Sequence, residues 1–205
     1  MTLPPDGFVR RLQVVMKTTI RDQILDELAG IIPYDKLEQA HLDDARAWVS
    51  TSTNIFRIAR PDKPPKHLVA YFVLIDPDHR SILLGELIKA NLWLPSGGHV
   101  LLNEHPRQTV LRECQEELGQ PAVFLRGNDR PFFATVTQTV GPTAGHTDVS
   151  LWYLVQGSIH DHINFERREF ADVAWFTFEE ILQTHPAIFD KHMHRFTRKL
   201  ITYLG

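Results

Sequence analysis

Residues 106–118, PRQTVLRECQEEL, constrain this chain more than any other stretch. Read as a helix, they present two incompatible faces. Val110, Leu111, Cys114 and Leu118 make an apolar side that has to pack on something. Glu113, Glu116 and Glu117 stand at i, i+3 and i+4 and share another side. Two unit charges about 4 Å apart repel by roughly 4 kcal/mol at an effective dielectric near 20. Three carboxylates fixed close together therefore demand a cation. The plain alternative is a solvated acidic face, where such pairs cost only about 0.2–0.5 kcal/mol.

The surroundings favour the first reading. Pro106 suits a first helical turn and Gly119 a left-handed cap, so the helix has defined ends. Upstream, HLVAYFVLID (67–76) and SILLGEL (81–87) read as buried strands joined by a turn, and NLWLP (91–95) is short and extended. That segment runs into Gly97-Gly98, where backbone can approach a ligand closely and a carbonyl can coordinate metal. Downstream, strands are expected at 122–126, 131–140 and 148–156, a helix at 176–183 and a last helix at about 187–203. Before all of this, 18–30 and 35–49 read as amphipathic helices. Ile20, Ile24, Leu25 and Leu28 line the first, and Leu37, Leu42, Ala45, Trp48 and Val49 the second. RPDKPPKH (60–67) is a proline-rich linker. The order predicts a mixed sheet covered by helices. It divides the chain into an N-terminal helical extension, 1–60, and a domain, 61–205.

Gly98, five residues, Glu104, seven residues, then Arg112-Glu113-Cys114-Gln115-Glu116-Glu117-Leu118-Gly119 resemble the Nudix box at every fixed polar and glycine position. Gln120 departs from it, where the pattern prefers an apolar residue. The resemblance extends loosely over 67–185 and leaves 1–60 uncovered. It implies an α/β fold, a Nudix-type α/β/α sandwich with a mixed sheet. It also implies a hydrolase that cuts the diphosphate linkage of nucleoside diphosphate derivatives with Mg²⁺ or Mn²⁺. Carried over by position, it makes Glu113, Glu116 and Glu117 metal ligands, one of them assisting as base, and adds the Gly97 carbonyl. Arg112 orients the carboxylates and Glu104 pairs to it. A further carboxylate belongs shortly before a tryptophan-containing strand. ERREFADVAWF (166–176) occupies that place, with Glu169 the first choice and Glu166 the second. The chemistry agrees: a divalent metal acidifies bound water and neutralises phosphate charge, and a carboxylate accepts the proton.

Other features bound the reading. The formal charge of −3 gives no general attraction to nucleic acid or to an anionic membrane. One cysteine allows no intrachain disulfide and fits a reducing cytosol. The N-terminus lacks the long apolar run of a signal peptide, and Met16 is a second candidate start. The expected partner is a small nucleotide or diphosphate substrate, and a homodimer is one way to cover the apolar sides of the N-terminal helices. His99, His146 and Asp148 are candidate substrate contacts. Trp93, Phe132, Phe133 and Trp152 could supply a stacking ring, though core packing is their commoner fate. Cys114 reads as an inert buried residue, and His160, His162, His192 and His194 as solvent-exposed. Pro131 comes too soon after the box for the ADP-ribose pattern. The alternative to catalysis is a catalytically weak ligand-binding or regulatory module of the same fold.

Overall fold

The computed structural model describes residues 18–59, 62–139 and 145–205; Met1 and Met16 lie outside them. Helices α1 (Ile20–Gly30) and α2 (Lys36–Thr51) come first. Strands β1 (Lys66–Asp76), β2 (Ser81–Leu87), β3 (Leu92–Leu94) and β4 (Ser96–His99) follow, then α3 (Pro106–Leu118). After it come β5 (Phe133–Gln138), β6 (Thr147–Gln156), β7 (Phe170–Thr177), α4 (Phe178–Gln183) and α5 (Met193–Leu204). The sheet order is β3-β2-β1-β6-β5, with β4 added to β1 and β7 to β2. Only β1 and β6 run parallel among the described pairs, which makes the sheet mixed.

β1 and β6 are apolar almost throughout because both their faces are covered. Leu68, Ala70, Phe72 and Leu74 point to one core with Val149, Leu151 and Tyr153 of β6. Val73 and Ile75 point to the other with Trp152 and Leu154. The first core takes Ile24 and Leu28 of α1, Leu42, Ala45 and Val49 of α2, and Val110, Cys114 and Leu118 of α3. The second takes Phe178 and Ile181 of α4 and Phe196 and Leu200 of α5. This period-two division yields the expected α/β/α sandwich.

Several expectations are corrected. No strand forms at 122–126: Phe124 makes an isolated bridge to Val155, and a single 3-10 turn, Leu125–Gly127, follows. Pro121 has no N–H to give a ladder, and Arg126 at φ 55 turns the chain away. The strand expected at 131–140 is shorter, and residue 140 is outside the described set. β7 takes the start of the helix expected at 176, and Thr177 caps α4 through Glu180 N–H. The last helix is interrupted: a 3-10 turn at Pro186–Ile188 precedes α5, and Asp190 accepts from the His192 N–H between them. Leu37 and Leu111 are exposed, so the apolar sides of α2 and α3 are narrower than the residue types suggest. His192 is buried.

α1 and α2 share a continuous core with the sheet, and polar contacts fix them there. Arg195 of α5 forks onto Asp35, with Nη2 2.6 Å and Nε 2.8 Å from its two oxygens. Glu38, with no exposed surface, accepts from Lys199 Nζ at 2.7 Å. Removing one partner of a buried pair leaves a charge without compensation and costs about 3–5 kcal/mol. Glu38→Ala is therefore expected to lower unfolding stability in urea by that amount. Glu38→Ala with Lys199→Met should recover much of the loss; equal stability of the single variant and the parent would show the pair to be inert.

Candidate active site

α3 is started by His105, whose Nδ1 accepts from Arg107 N–H, and by Pro106 at its first position. Gly119 ends it at φ 65, where its N–H reaches the Gln115 carbonyl at 3.2 Å. Gln120, the departure from the box, donates to the His162 carbonyl at 2.9 Å at the surface. Its polarity is satisfied outside the carboxylate cluster.

The helix lies directly on β4. A Cβ on Gly98 would overlap the Glu113 carboxylate, and one on Gly97, at φ 151, would overlap β1 backbone. The glycines thus let the strand, the helix and its carboxylates close up. Gly97 N–H donates to Glu117 Oε2 at 3.1 Å. Arg112 grips Glu104 in a two-pronged arrangement, Nε and Nη2 each 3.2 Å from a different oxygen. Its Nη1 reaches Glu113 at 2.6 Å and Glu116 at 3.2 Å. Glu104 is held in turn by Thr109 Oγ1 at 2.8 Å and Leu101 N–H at 3.0 Å. Burial pushes the Glu104 carboxyl up, but hydrogen bonds from Arg112, Leu101 and Thr109 prevail and lower it.

The other carboxyls move the opposite way. Burial raises Glu113 against its bond to Arg112, with repulsion from Glu116 and Glu169 adding to the rise. Burial, then repulsion from Glu113 and Glu169, pushes Glu117 up to about 9. Glu169 also shares a hydrogen bond with Glu117. The loop before β7 thus delivers Glu169 to the carboxylates of α3, while Glu166 also lines the same cleft of about 560 Å³. The oxygen donors of Glu113, Glu116, Glu117 and Glu169 suit a hard divalent cation such as Mg²⁺ or Mn²⁺, and burial with mutual repulsion raises the proton affinity of Glu113 and Glu117. Arg112 supplies positive charge to Glu113 and Glu116.

His99, His146 and Asp148 are also brought together, in an adjoining lobe of about 830 Å³ that shares Arg57, Lys89 and Glu169 with the first. His146 Nε2 lies 3.2 Å from Asp148 Oδ1. Two residues not anticipated from sequence join them. His67 Nε2 is 3.4 Å from Asp148 Oδ1, and Asp62 Oδ2 is 3.3 Å from His146 Nδ1. The sheet register carries the signal, since His67 opposes Asp148 and Val69 opposes His99. Of the aromatic residues singled out, Phe133 and Trp152 are fully buried, Phe132 packs on the second core, and Trp93 packs edge-on against Phe176. Cys114 is buried, with its thiol pushed up to about 12 by that burial.

A NUDIX domain matches residues 65–200 of the chain. No curated protein matches it. Among solved structures, a NUDIX-family hydrolase from Clostridium perfringens is similar at 21% identity and a TM-score of 0.52, over 67% of this chain and 97% of that one. The NUDIX domain of Shewanella oneidensis NrtR, complexed with ADP ribose, is similar at 17% identity and a TM-score of 0.53, over 67% of this chain and 88% of that one. A C. elegans Ap4A hydrolase is similar at 17% identity and a TM-score of 0.51, over 67% of this chain and 96% of that one.

Two predictions follow from the carboxylate geometry. Glu117 takes up a proton on folding between its ordinary value of 4.5 and about 9. In that window the folded chain binds more protons than the unfolded one. Metal-free stability therefore falls as pH rises, with a slope approaching about 1.4 kcal/mol per pH unit. Glu27, raised by burial only to about 7, adds to the same trend at the acid end. In EDTA, Glu117→Gln should stabilise the chain at pH 8 and flatten the decline between pH 7 and 9. An unchanged slope in thermal melts would show that Glu117 does not carry this proton. Arg112→Lys keeps the charge and loses the fork onto Glu104. Turnover should drop with the fold intact by circular dichroism, and a fully active lysine variant would reduce Arg112 to a generic cation.

Proposed function

Since this chain belongs to the NUDIX family, we propose that it is a pyrophosphohydrolase that cleaves the diphosphate linkage of a nucleoside diphosphate derivative or related small phosphorylated metabolite with Mg²⁺ or Mn²⁺. The observation that carries this reading is the convergence of Glu113, Glu116 and Glu117 with Glu169 beside Gly97-Gly98, under an Arg112 forked onto Glu104. When bound, the metal supplies charge neutralisation for the diphosphate and acidifies water.

The residues divide the remaining work. Glu113, Glu116, Glu117, Glu169 and the Gly97 carbonyl would hold the metal. Arg112 and Glu104 keep the glutamate side chains in register, and one carboxylate of the cluster receives the proton of the attacking water. Arg57 and Lys89 border both lobes of the cleft and Lys191 the larger one, which supports an anionic substrate lying across them. His99, His146 and Asp148 line the larger lobe, where they would face the moiety beyond the diphosphate. The structural relatives recorded with ADP ribose or acting on Ap4A support a nucleotide-containing substrate. The N-terminal extension, 1–60, is assigned an architectural role apart from Arg57, which borders the cleft, and 61–205 the catalytic one. No helix among the described residues is long and apolar enough to cross a membrane. The single buried Cys114 supports a cytoplasmic setting.

The experiment is phosphate release from a panel of nucleotide sugars, dinucleoside polyphosphates, ADP-ribose and nucleoside triphosphates. Activity should require Mg²⁺ or Mn²⁺, vanish in EDTA and return with metal. Glu116→Gln and Glu117→Gln should each lower turnover on the order of 10²–10³-fold, the scale of losing one preorganised electrostatic group. Full turnover in excess chelator would sink the metal mechanism, and binding of a panel member without any hydrolysis would favour a ligand-binding module.

A further inference from the structure

The second cluster in the cleft has an unsettled contact at its centre. His67 has no exposed surface, and its Nδ1 lies 2.8 Å from the Pro64 carbonyl. A carbonyl only accepts, so Nδ1 carries the proton and Nε2 is left with a lone pair. That lone pair faces Asp148 Oδ1 at 3.4 Å, acceptor against acceptor. Neither atom has a hydrogen-bond partner among the described residues. Burial, the largest influence on His67, lowers its proton affinity, and burial raises that of Asp148. A proton shared by the two atoms would settle only that pair.

The surrounding groups point to a larger occupant. Asp62, His67, His99 and His146 each offer a ligand atom, and these atoms all lie within 4.8 Å of one another. Donors on a tetrahedral zinc, about 2.0–2.2 Å from the metal, stand roughly 3.3–3.5 Å apart. The 3.3 Å from His146 Nδ1 to Asp62 Oδ2 already has that spacing. Small rotations of His67 and His99 contract the rest. The outer contacts are also in place. A metal-bound histidine donates its second N–H to a carbonyl or carboxylate; His67 Nδ1 does so to Pro64, and His146 Nε2 stands 3.2 Å from Asp148 Oδ1. Arg57 Nη1, now 3.3 Å from His99 Nε2 and 3.7 Å from Asp62 Oδ1, has to swing towards the open cleft when the ion enters.

We propose that His67, His99, His146 and Asp62 form a second metal site, selective for Zn²⁺ or a similar imidazole-preferring divalent ion, with Asp148 orienting His146. Imidazole donors suit zinc and its neighbours, whereas carboxylates alone suit Mg²⁺ or Mn²⁺, so one cleft presents two sites of different hardness. Three nitrogens and one carboxylate make a closed set, the signature of a structural ion. It ties the chain entering β1, the end of β4 and the start of β6, and so steadies Gly97-Gly98 opposite the glutamates.

The test uses the untagged full chain, stripped of metal and held in millimolar Mg²⁺ to occupy the glutamate cluster. Zn²⁺ is then titrated calorimetrically, bound zinc is counted by mass spectrometry, and Co²⁺ is substituted to read its tetrahedral absorption. One Zn²⁺ per chain is expected. Asp148→Asn should weaken it about 10–100-fold, the cost of losing an outer partner, and His146→Asn and Asp62→Asn by more. Glu117→Gln should leave zinc bound. His67→Gln is the most direct variant; should it not fold, Asp62→Asn, at a partly exposed position, decides. Absence of bound zinc at micromolar concentration overturns the proposal and leaves the shared proton. So does zinc that survives His146→Asn and disappears with Glu117→Gln. Because bound metal is the readout, the result is independent of whether any substrate is hydrolysed.

Discussion

Like charges kept together against their repulsion are the constraint on which the structure depends. Glu113, Glu116, Glu117 and Glu169 gather in one cleft although burial and mutual repulsion raise the proton affinity of Glu113 and Glu117. The framework supplies the opposing work. α3 is pressed onto the sheet by Val110, Cys114 and Leu118, and Gly98 leaves room for the Glu113 side chain. A guanidinium then spans the gap between Glu104, Glu113 and Glu116. Each element is unremarkable alone; together they fix carboxylates where free side chains would move apart.

Arg112 has two jobs that pull in different directions. Its fork onto Glu104 fixes its own orientation, and Glu104 is anchored by Thr109 and Leu101. Its remaining prong engages Glu113 and Glu116, the groups offered to a cation. On the proposed metal reading, an ion at the cluster would compete only for that prong, because Glu104 lies on the other side of the guanidinium. The fork would persist through such an exchange, so the arginine braces Glu104 whatever meets its remaining prong. A lysine offers no second edge with which to make that division.

Much of this was legible because α3 carries its own punctuation. Pro106, Gly119 and the i, i+3, i+4 glutamates set its ends and its acidic face without reference to the rest of the chain. The same holds for β1, β2 and β6, whose apolar runs are long enough to show burial on both faces. What was illegible depends on distant partners. Leu111 looks like a core residue by type, but its angular position on α3 leaves it exposed. His67 and Asp62 sit in or beside a proline-rich linker and make no pattern with His99 and His146 until β1 pairs with β4 and β6. His192 looks like a surface residue by its charge-rich setting, yet it lies under Arg195 and beside His41. Phe124 has strand-like neighbours and still forms only one bridge, because Pro121 and the turn at Arg126 leave no ladder to extend.

The N-terminal helices answer a different problem. β5 is the last strand on its side of the sheet, and an edge strand presents unpaired N–H groups to any passing chain. Here the Ala134 N–H is taken by Glu38 Oε1 at 3.3 Å, and the same oxygen receives Lys199. One side chain of α2 thus caps an edge of the sheet and fastens it to α5 on the opposite layer. Tyr34 N–H donates to the other Glu38 oxygen at 2.6 Å, so the carboxylate is satisfied on both sides. The Asp35–Arg195 pair repeats the tie three residues earlier, at the N-cap of α2, and one turn earlier in α5. None of these groups reaches the glutamate cluster. Their influence on it passes through the sheet: α2 closes the β5 edge, β5 holds β6, and β6 runs beside β1, to which β4 and its glycines are paired. Two helices that stand away from the glutamate cluster can therefore determine how firmly the Gly97-Gly98 strand is held.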